Sequence, residues 1–431
     1  MNRLAIGAFL IICVLFFALI GFSSVHENSS ESPPEPTISV PEEASATTAA
    51  GEQQTKEMRA CWFSYLEWGQ LLSGKSEEEF TNEVHQICNN LTAIGCNTLI
   101  LQLRAFGDAM YPSELFPMSK YCAGTLGGSL PYNPLALFLN AANDAGLSVQ
   151  GWINPMRTMT DEEFEQIPDQ YQLKQWYLAE NQSDYYMKDG TGRYILIPAN
   201  PQVRDLIDSG VREILDNYTL SGIHLDDYFY PSGVDGLPQN DHDYYQRQNP
   251  GIDISDWRRD ATSQMVYQLY QTVHNKDSDL VFGISPQANL SNDYNKMYIN
   301  VNQWLSEEGY VDYIMPQIYY GFENAALPFD QAAQQWDSLI QNDVVLYAGL
   351  AAYKLGMEND ANAGTGQEEW KAVSQSGCDM LCRQEEYLRT LSHYHGYCLY
   401  SYQSLFLPDG ETNPQSTEEI SHLNALFSYS L

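Results

Sequence analysis

SGIHLDDYFYP, residues Ser221–Pro231, is the stretch on which the reading of this 431-residue chain turns. Ile223 and Leu225 alternate with His224 and Asp226, the period-two pattern of a short strand with one apolar face and one face free to carry polar groups. Asp226 therefore falls at the end of the strand, with Asp227, Tyr228 and Tyr230 just beyond it. A parallel barrel builds its chemistry at the C-terminal ends of its strands. An acid pair flanked by aromatic rings there is what carbohydrate chemistry requires. Taken alone, the pair has a plainer explanation, in which Asp227 caps the next turn and both carboxylates are solvated.

Working outward, strand and helix signals alternate to the end of the chain. Strands are expected at Arg59–Ser64, Thr98–Leu103, Ser148–Ile153, Gly222–Asp226, Leu280–Ser285, Val311–Gln317, Val344–Gly349 and Gly396–Ser401. Amphipathic helices are expected at Glu77–Ile94, Pro134–Ala145, Pro201–Tyr218, Ile254–Asn275, Tyr298–Glu308, Asp330–Gln341, Gln384–His393 and Thr417–Tyr429. Ser76 with Glu79 reads as a capping box, and Asn200-Pro201 as a helix start. Eight alternations predict an α/β fold, a (β/α)8 TIM barrel. The competing open, doubly wound sheet lacks a glycine-rich phosphate loop after its first strand.

The links after strands three and four are long insertions on the face where barrel sites form. Met187–Ile197 reads as a hairpin turning at Asp189–Gly192, a flap over the site. Ser232–Asp256 holds Asp241, His242 and Asp243, read as a polar loop in preference to a metal site.

Composition narrows the function. The chain has 21 Lys plus Arg against 56 Asp plus Glu, a formal charge of −35, so no basic surface offsets phosphate repulsion and nucleic acid is excluded as a partner. Its 30 tyrosines and 8 tryptophans suit sugar rings, whose apolar faces stack on aromatic planes, although most of these side chains are expected in the core.

At the N-terminus the uncharged run Leu4–Phe22 is long enough for a membrane helix and is read as an uncleaved anchor, residues 1–22, with a cleaved export signal as the alternative. Arg3 on the cytoplasmic side would place the rest of the chain on the extracytoplasmic face of the cell membrane, or outside the cell if the segment is cleaved. Residues 23–57, rich in Ser, Pro and Glu, form a tether to the barrel domain at 58–431. Of the 8 cysteines, Cys13 lies in the apolar run. Cys61 and Cys398 read as buried thiols, and Cys378 and Cys382 as a candidate bridge. No CxxC spacing supports zinc, and no metal or cofactor is expected.

The predicted strand ends collect a set of polar and aromatic groups. Arg59 and Trp62 come from strand one; Gln102, Arg104, Asp108 and Tyr111 from strand two and its loop; Trp152 and Asn154 from strand three; Asp226 and Asp227 from strand four. Ser285 and Gln287 follow from strand five, Gln317, Tyr319 and Tyr320 from strand six, Tyr353 from strand seven and Tyr402 from strand eight. Any one of them has a structural explanation; their recurrence at strand after strand points to a site.

The motifs EMRACWFSY (Glu57–Tyr65), RAFGDAMYPSELFPMS (Arg104–Ser119), GLSVQGWINPMR (Gly146–Arg157), IPANPQVRDLI (Ile197–Ile207), GIHLDDYFYP (Gly222–Pro231) and DYIMPQIYYG (Asp312–Gly321) resemble the glycosyl hydrolase-like 10 family, from about Met58 to the C-terminus. The resemblance implies a TIM barrel, extracytoplasmic placement and hydrolysis of glycosidic bonds, with bacterial cell-wall glycan the substrate linked to some relatives. Strand four also echoes a chitinase-like pattern, but Tyr228 stands where that pattern has its catalytic glutamate.

Glycoside hydrolysis calls for two carboxyls, one to protonate the leaving oxygen and one to attack the sugar or activate water. Asp226 is the expected nucleophile or base. Asp227 serves as the acid only if the turn brings it round, and Asp108 and Glu323 compete for that role. Arg59 and Arg104 are expected either to meet acidic substituents such as the lactyl group of a muramic acid or to form structural ion pairs. Asn154, Gln102, Gln317 and the tyrosines would hold sugar hydroxyls and faces. A non-catalytic glycan-binding barrel is the alternative function.

Overall fold

In the computed structural model, residues 57–374 and 379–428 are described. The apolar run Leu4–Phe22, most of the tether, Cys13 and Cys378 lie outside them. Among the described residues no helix is long and apolar enough to cross a membrane.

Eight parallel strands close into a barrel: β1 (Met58–Phe63), β2 (Thr98–Arg104), β3 (Ser148–Ile153), β4 (Gly222–Leu225), β5 (Val281–Ile284), β6 (Tyr313–Ile314), β7 (Val345–Leu350) and β8 (Tyr394–Leu399), with β8 pairing back onto β1. The longer helices are α1 (Glu77–Ala93), α2 (Pro134–Asp144), α3 (Pro201–Asn217), α4 (Ile254–Lys276), α5 (Phe329–Leu339), α6 (Met380–Leu388) and α7 (Thr417–Ser428). Local chemistry sets several boundaries. Ser76 and Glu79 cap α1 reciprocally, and Asn200 accepts from the Gln202 N–H with Pro201 in the first turn of α3.

Strand parity divides the core into two layers. Ile223 and Leu225 point out into the layer between strands and helices, while Trp62, Ile100, Trp152, Tyr313 and Met315 fill the lumen. Gly283 makes this filling possible, because a Cβ there would come within 2.1 Å of the Tyr313 ring.

Three elements depart from the sequence reading. β6 is only two residues long because Pro316 offers no N–H to the ladder; isolated bridges from Gln317 to Gln287 and Gly349 carry the sheet on. The helix expected at Tyr298–Glu308 shrinks to Val301–Trp304, preceded by a separate helix at Leu290–Asn295, since Tyr298 adopts a left-handed backbone (φ 52°) and breaks the run. α6 begins before the expected Gln384, because Glu419 of α7 accepts the N–H groups of Met380 and Leu381.

The insertions are well tied down. Tyr186–Lys188 and Tyr194–Leu196 form the antiparallel hairpin, and its second strand exchanges backbone hydrogen bonds with Met156, Thr158 and Met159. It is a docked wall, not a hinged flap. Asp241 is held in bidentate fashion by the Nε–Nη2 edge of buried Arg258, at 2.9 and 2.6 Å, and His242 bonds Asp235 at 2.9 Å. Among the described residues, Cys61, Cys88, Cys96, Cys122, Cys382 and Cys398 are buried free thiols.

Candidate active site

The inward parity of β4 sends His224 into the lumen and Asp226 one layer higher, at the mouth. Burial pushes the His224 imidazole down to about 3, so it is neutral. Its Nε2 accepts from Trp62 Nε1 at 3.3 Å and faces Ser285 Oγ at 3.0 Å; its Nδ1 lies 2.7 Å from Tyr313 OH, which itself donates to Gln150. The proton therefore sits on Nδ1. The floor beneath the mouth is polar, satisfied and uncharged.

Asp226 rests on that floor and receives three donors. Trp152 Nε1 (3.1 Å) and Asn154 Nδ2 (2.6 Å) meet Oδ2, and the Tyr228 N–H (3.1 Å) meets Oδ1. Asn154 is held by Gln102, whose Nε2 donates to Asn154 Oδ1 at 2.6 Å and whose Oε1 accepts the Tyr65 N–H at 2.7 Å. Asp227 turns to the other side of the mouth, where Gln287 Nε2 reaches its Oδ2 at 3.2 Å and Gln317 adds a further donor.

Both carboxyls are raised above the usual carboxylate range, first by burial. Asp226 is raised further by the Asp227 charge, while Arg157 pulls both down. Two such neighbours release their protons as a pair. The two share one proton between them, Asp226 held by Trp152, Asn154 and the Tyr228 N–H and Asp227 by Gln287, Gln317 and its own backbone N–H.

The walls are aromatic. Tyr319 packs against Tyr353 and Tyr400, with centroids 5.7 and 5.9 Å apart, and Tyr400 meets Trp62 at 5.8 Å. Tyr320 is half-buried beside them. On the opposite rim, Tyr228 is 41 % exposed.

Several expected residues lie elsewhere. Arg59, at the start of β1 and paired in register with Tyr397, is at the base of the barrel, away from the mouth. Arg104 lies outside the barrel, because a register shift between Gln102 and Arg104 reverses the parity. Its guanidinium stacks on Phe116 at 4.3 Å and fills the space above Gly210 of α3. Tyr111 is buried against Tyr218, Tyr230 against Tyr298, and Tyr402 between Phe63 and Phe406 with its hydroxyl accepting from Asn90 at 3.0 Å. Asp108 folds back on its own turn to accept the N–H groups of Phe106 (2.8 Å) and Ala105 (3.3 Å). Glu323 is an exposed loop residue.

Two residues enter that the sequence reading left out. Arg157 lies over both Tyr228 (4.0 Å) and Phe106 (4.3 Å), anchored by Nε to the Ala105 carbonyl at 3.1 Å. It closes the GLSVQGWINPMR motif, which was its only signal. Asp293, on the Leu290–Asn295 helix, is fully buried beside Asp227. The Gln287 backbone favours its charge slightly, yet neither oxygen has a hydrogen bond of good geometry, and burial drives it far above the usual carboxylate range. Asp293 is a neutral acid. No local pattern announces it.

Comparison with known proteins places these observations. The model of the family "Glycosyl hydrolase-like 10" matches residues 57–365. Glycosyl hydrolase YngK of Bacillus subtilis (strain 168) is 30 % identical over 370 residues, covering 80 % of this chain and 69 % of that protein. Glycosyl hydrolase DigH of Escherichia coli (strain K12) is 26 % identical over 428 residues, covering 92 % and 93 %. The fold is shared with the catalytic domain of a beta-amylase from Paenibacillus polymyxa (TM-score 0.52, 11 % identity, 86 % of this chain and 98 % of that one). It is also shared with an endo-1,4-beta-mannanase from Rhizomucor miehei (TM-score 0.51, 10 % identity, 88 % and 97 %). With six ordered motifs, a closed barrel and an acid pair at its mouth, the chain belongs to the glycosyl hydrolase-like 10 family.

Proposed function

We propose that the protein is an extracytoplasmic glycoside hydrolase, tethered through Leu4–Phe22, that cleaves a cell-wall or other extracellular polysaccharide. The observation that carries this reading is the pair of adjacent, buried carboxyls at the barrel mouth, Asp226 held by Trp152, Asn154 and the Tyr228 N–H and Asp227 turned the other way onto Gln287 and Gln317. With the shared proton on Asp227, Asp226 attacks the anomeric carbon or takes a proton from water. Asp227 gives its proton to the leaving oxygen. Arg157 takes over the role expected of Arg59 and Arg104, meeting an acidic sugar substituent at the rim. Tyr228, Tyr319 and Tyr320 stack on sugar faces, and Gln287 and Gln317 position the acid. The tether and the location rest on the sequence of residues 1–57.

A non-catalytic glycan-binding barrel remains the second reading, favoured by Tyr228 at the position of the chitinase-like glutamate. Incubation of residues 57–431 with peptide-free peptidoglycan, chitin and other glycans separates the two. Release of reducing ends supports the hydrolase; binding without release supports the second reading.

A further inference from the structure

The flank of the barrel carries a groove that the mechanism does not use. Asp260, Ser263, Gln264, Tyr267 and Gln268 recur on one face of α4 and line a cavity of about 540 Å3, within the size range of small-ligand sites. Arg204 in α3 closes one side, and Gln303 with Tyr310 the other. Barrel helices run from the mouth end back to the base. Arg204, near the start of α3, is thus on the mouth side, and Tyr310, just before β6, is near the base. The groove follows the flank downward from the rim.

Its centre is an aromatic plane held from behind. Tyr267 is 46 % exposed, although most large apolar side chains of α4 are buried. Its ring packs on Gly309, where a Cβ would come within 3.0 Å, and meets Tyr310 edge-on with centroids 5.6 Å apart. Amides surround it: Gln264 is exposed, and Gln303 is fixed by its bond to Tyr310 OH at 2.9 Å. The cation at the edge, Arg204, gives one donor to the Pro198 carbonyl at 2.6 Å, and its charge is offset by neighbouring Asp205 and by Asp260 of the lining, so the groove does not favour an anion. A pinned ring bordered by amides and carboxylate oxygens matches a neutral sugar, with its apolar face on the ring and its hydroxyls on the amides.

We propose that this groove is a second glycan-binding site, which holds a neutral stretch of the polysaccharide against the barrel flank outside the catalytic mouth. It rests on the glycan reading above. The test uses the full chain in an Asp226→Asn background, so that binding is read without turnover, and compares Tyr267→Ala and a Gln264→Ala/Gln268→Ala double variant by co-sedimentation with insoluble chitin and peptidoglycan. Either variant is expected to weaken binding about fivefold or more. In the Asp226-containing chain, Tyr267→Ala is expected to raise the half-saturating polymer concentration by a similar factor and to leave turnover of a short soluble oligosaccharide unchanged. Equal binding by both variants and their parent overturns the site, and so does an equal loss on short and polymeric substrate. A chain with Asp226 intact that binds polymer but cleaves nothing defeats the hydrolase reading, while loss of binding in the Tyr267→Ala variant still supports the groove.

Discussion

Asn154 donates through Nδ2 to Asp226 at 2.6 Å while its own Oδ1 accepts from Gln102 at 2.6 Å, so one amide orientation is fixed by partners on both sides. The chain of bonds from the Tyr65 N–H through Gln102 and Asn154 ends on a carboxylate oxygen. Its effect is to favour the ionised form of Asp226.

Replacing that donor tests the claim. A hydrogen bond to a charged group contributes ~1.5–3 kcal/mol, so Asn154→Ala is expected to lower kcat/KM by about 10–100-fold with the fold intact by circular dichroism. Gln102→Ala acts one bond further away and is expected to cost less. An Asn154→Ala enzyme with unchanged kcat/KM removes the relay from the account.

Arg157 pulls both aspartates down, so its removal shifts them up. In Arg157→Gln the base then ionises only at higher pH, and the acidic limb of the kcat/KM profile moves to higher pH. A limb that stays in place, or moves down, contradicts the electrostatic role.

Asp293 makes a prediction about stability. Its folded-state proton affinity is raised above the unfolded value, so the native state binds more protons and stability falls as pH rises above the ordinary Asp range, by ~1.4 kcal/mol per pH unit while the difference lasts. Asp293→Asn removes this term. The variant is expected to match the wild type in denaturant unfolding near pH 4 and to exceed it near pH 8. A difference independent of pH would mean that Asp293 is not a buried neutral acid.

The Asp241–Arg258 pair is fully buried, and loss of one partner leaves a charge without compensation. Arg258→Met is expected to destabilise the protein by ~3–5 kcal/mol, whereas EDTA leaves its melting temperature unchanged. A large EDTA effect would restore the metal reading of the Asp241–Asp243 segment.

The barrel was legible because its strands are short and apolar and most are followed by a periodic helix; the link after β5, with only Leu290–Asn295 and Val301–Trp304, is the exception. Boundaries failed where a distant residue decided them, as Glu419 does for α6, or where one residue took an unusual backbone, as Tyr298 does. At the site, parity from β4 located Asp226, and Gln102, Trp152 and Asn154 gathered around it. Arg104 was misplaced because a register shift in β2 is invisible in sequence and reverses the face of every residue after it. Tyr111, Tyr230 and Tyr402 are core rings that happen to follow strand ends. Arg157 and Asp293 went unread for a related reason, since each gains its meaning from neighbours brought in by other strands.

The central claim is that Asp226 and Asp227 together break a glycosidic bond. Reducing-end release from peptide-free peptidoglycan and from chitin, measured for the wild type, Asp226→Asn and Asp227→Asn, tests it most directly. The account predicts turnover by the wild type on at least one of these glycans and its loss, by about 100-fold or more, in both folded variants. Full activity in both variants would contradict it.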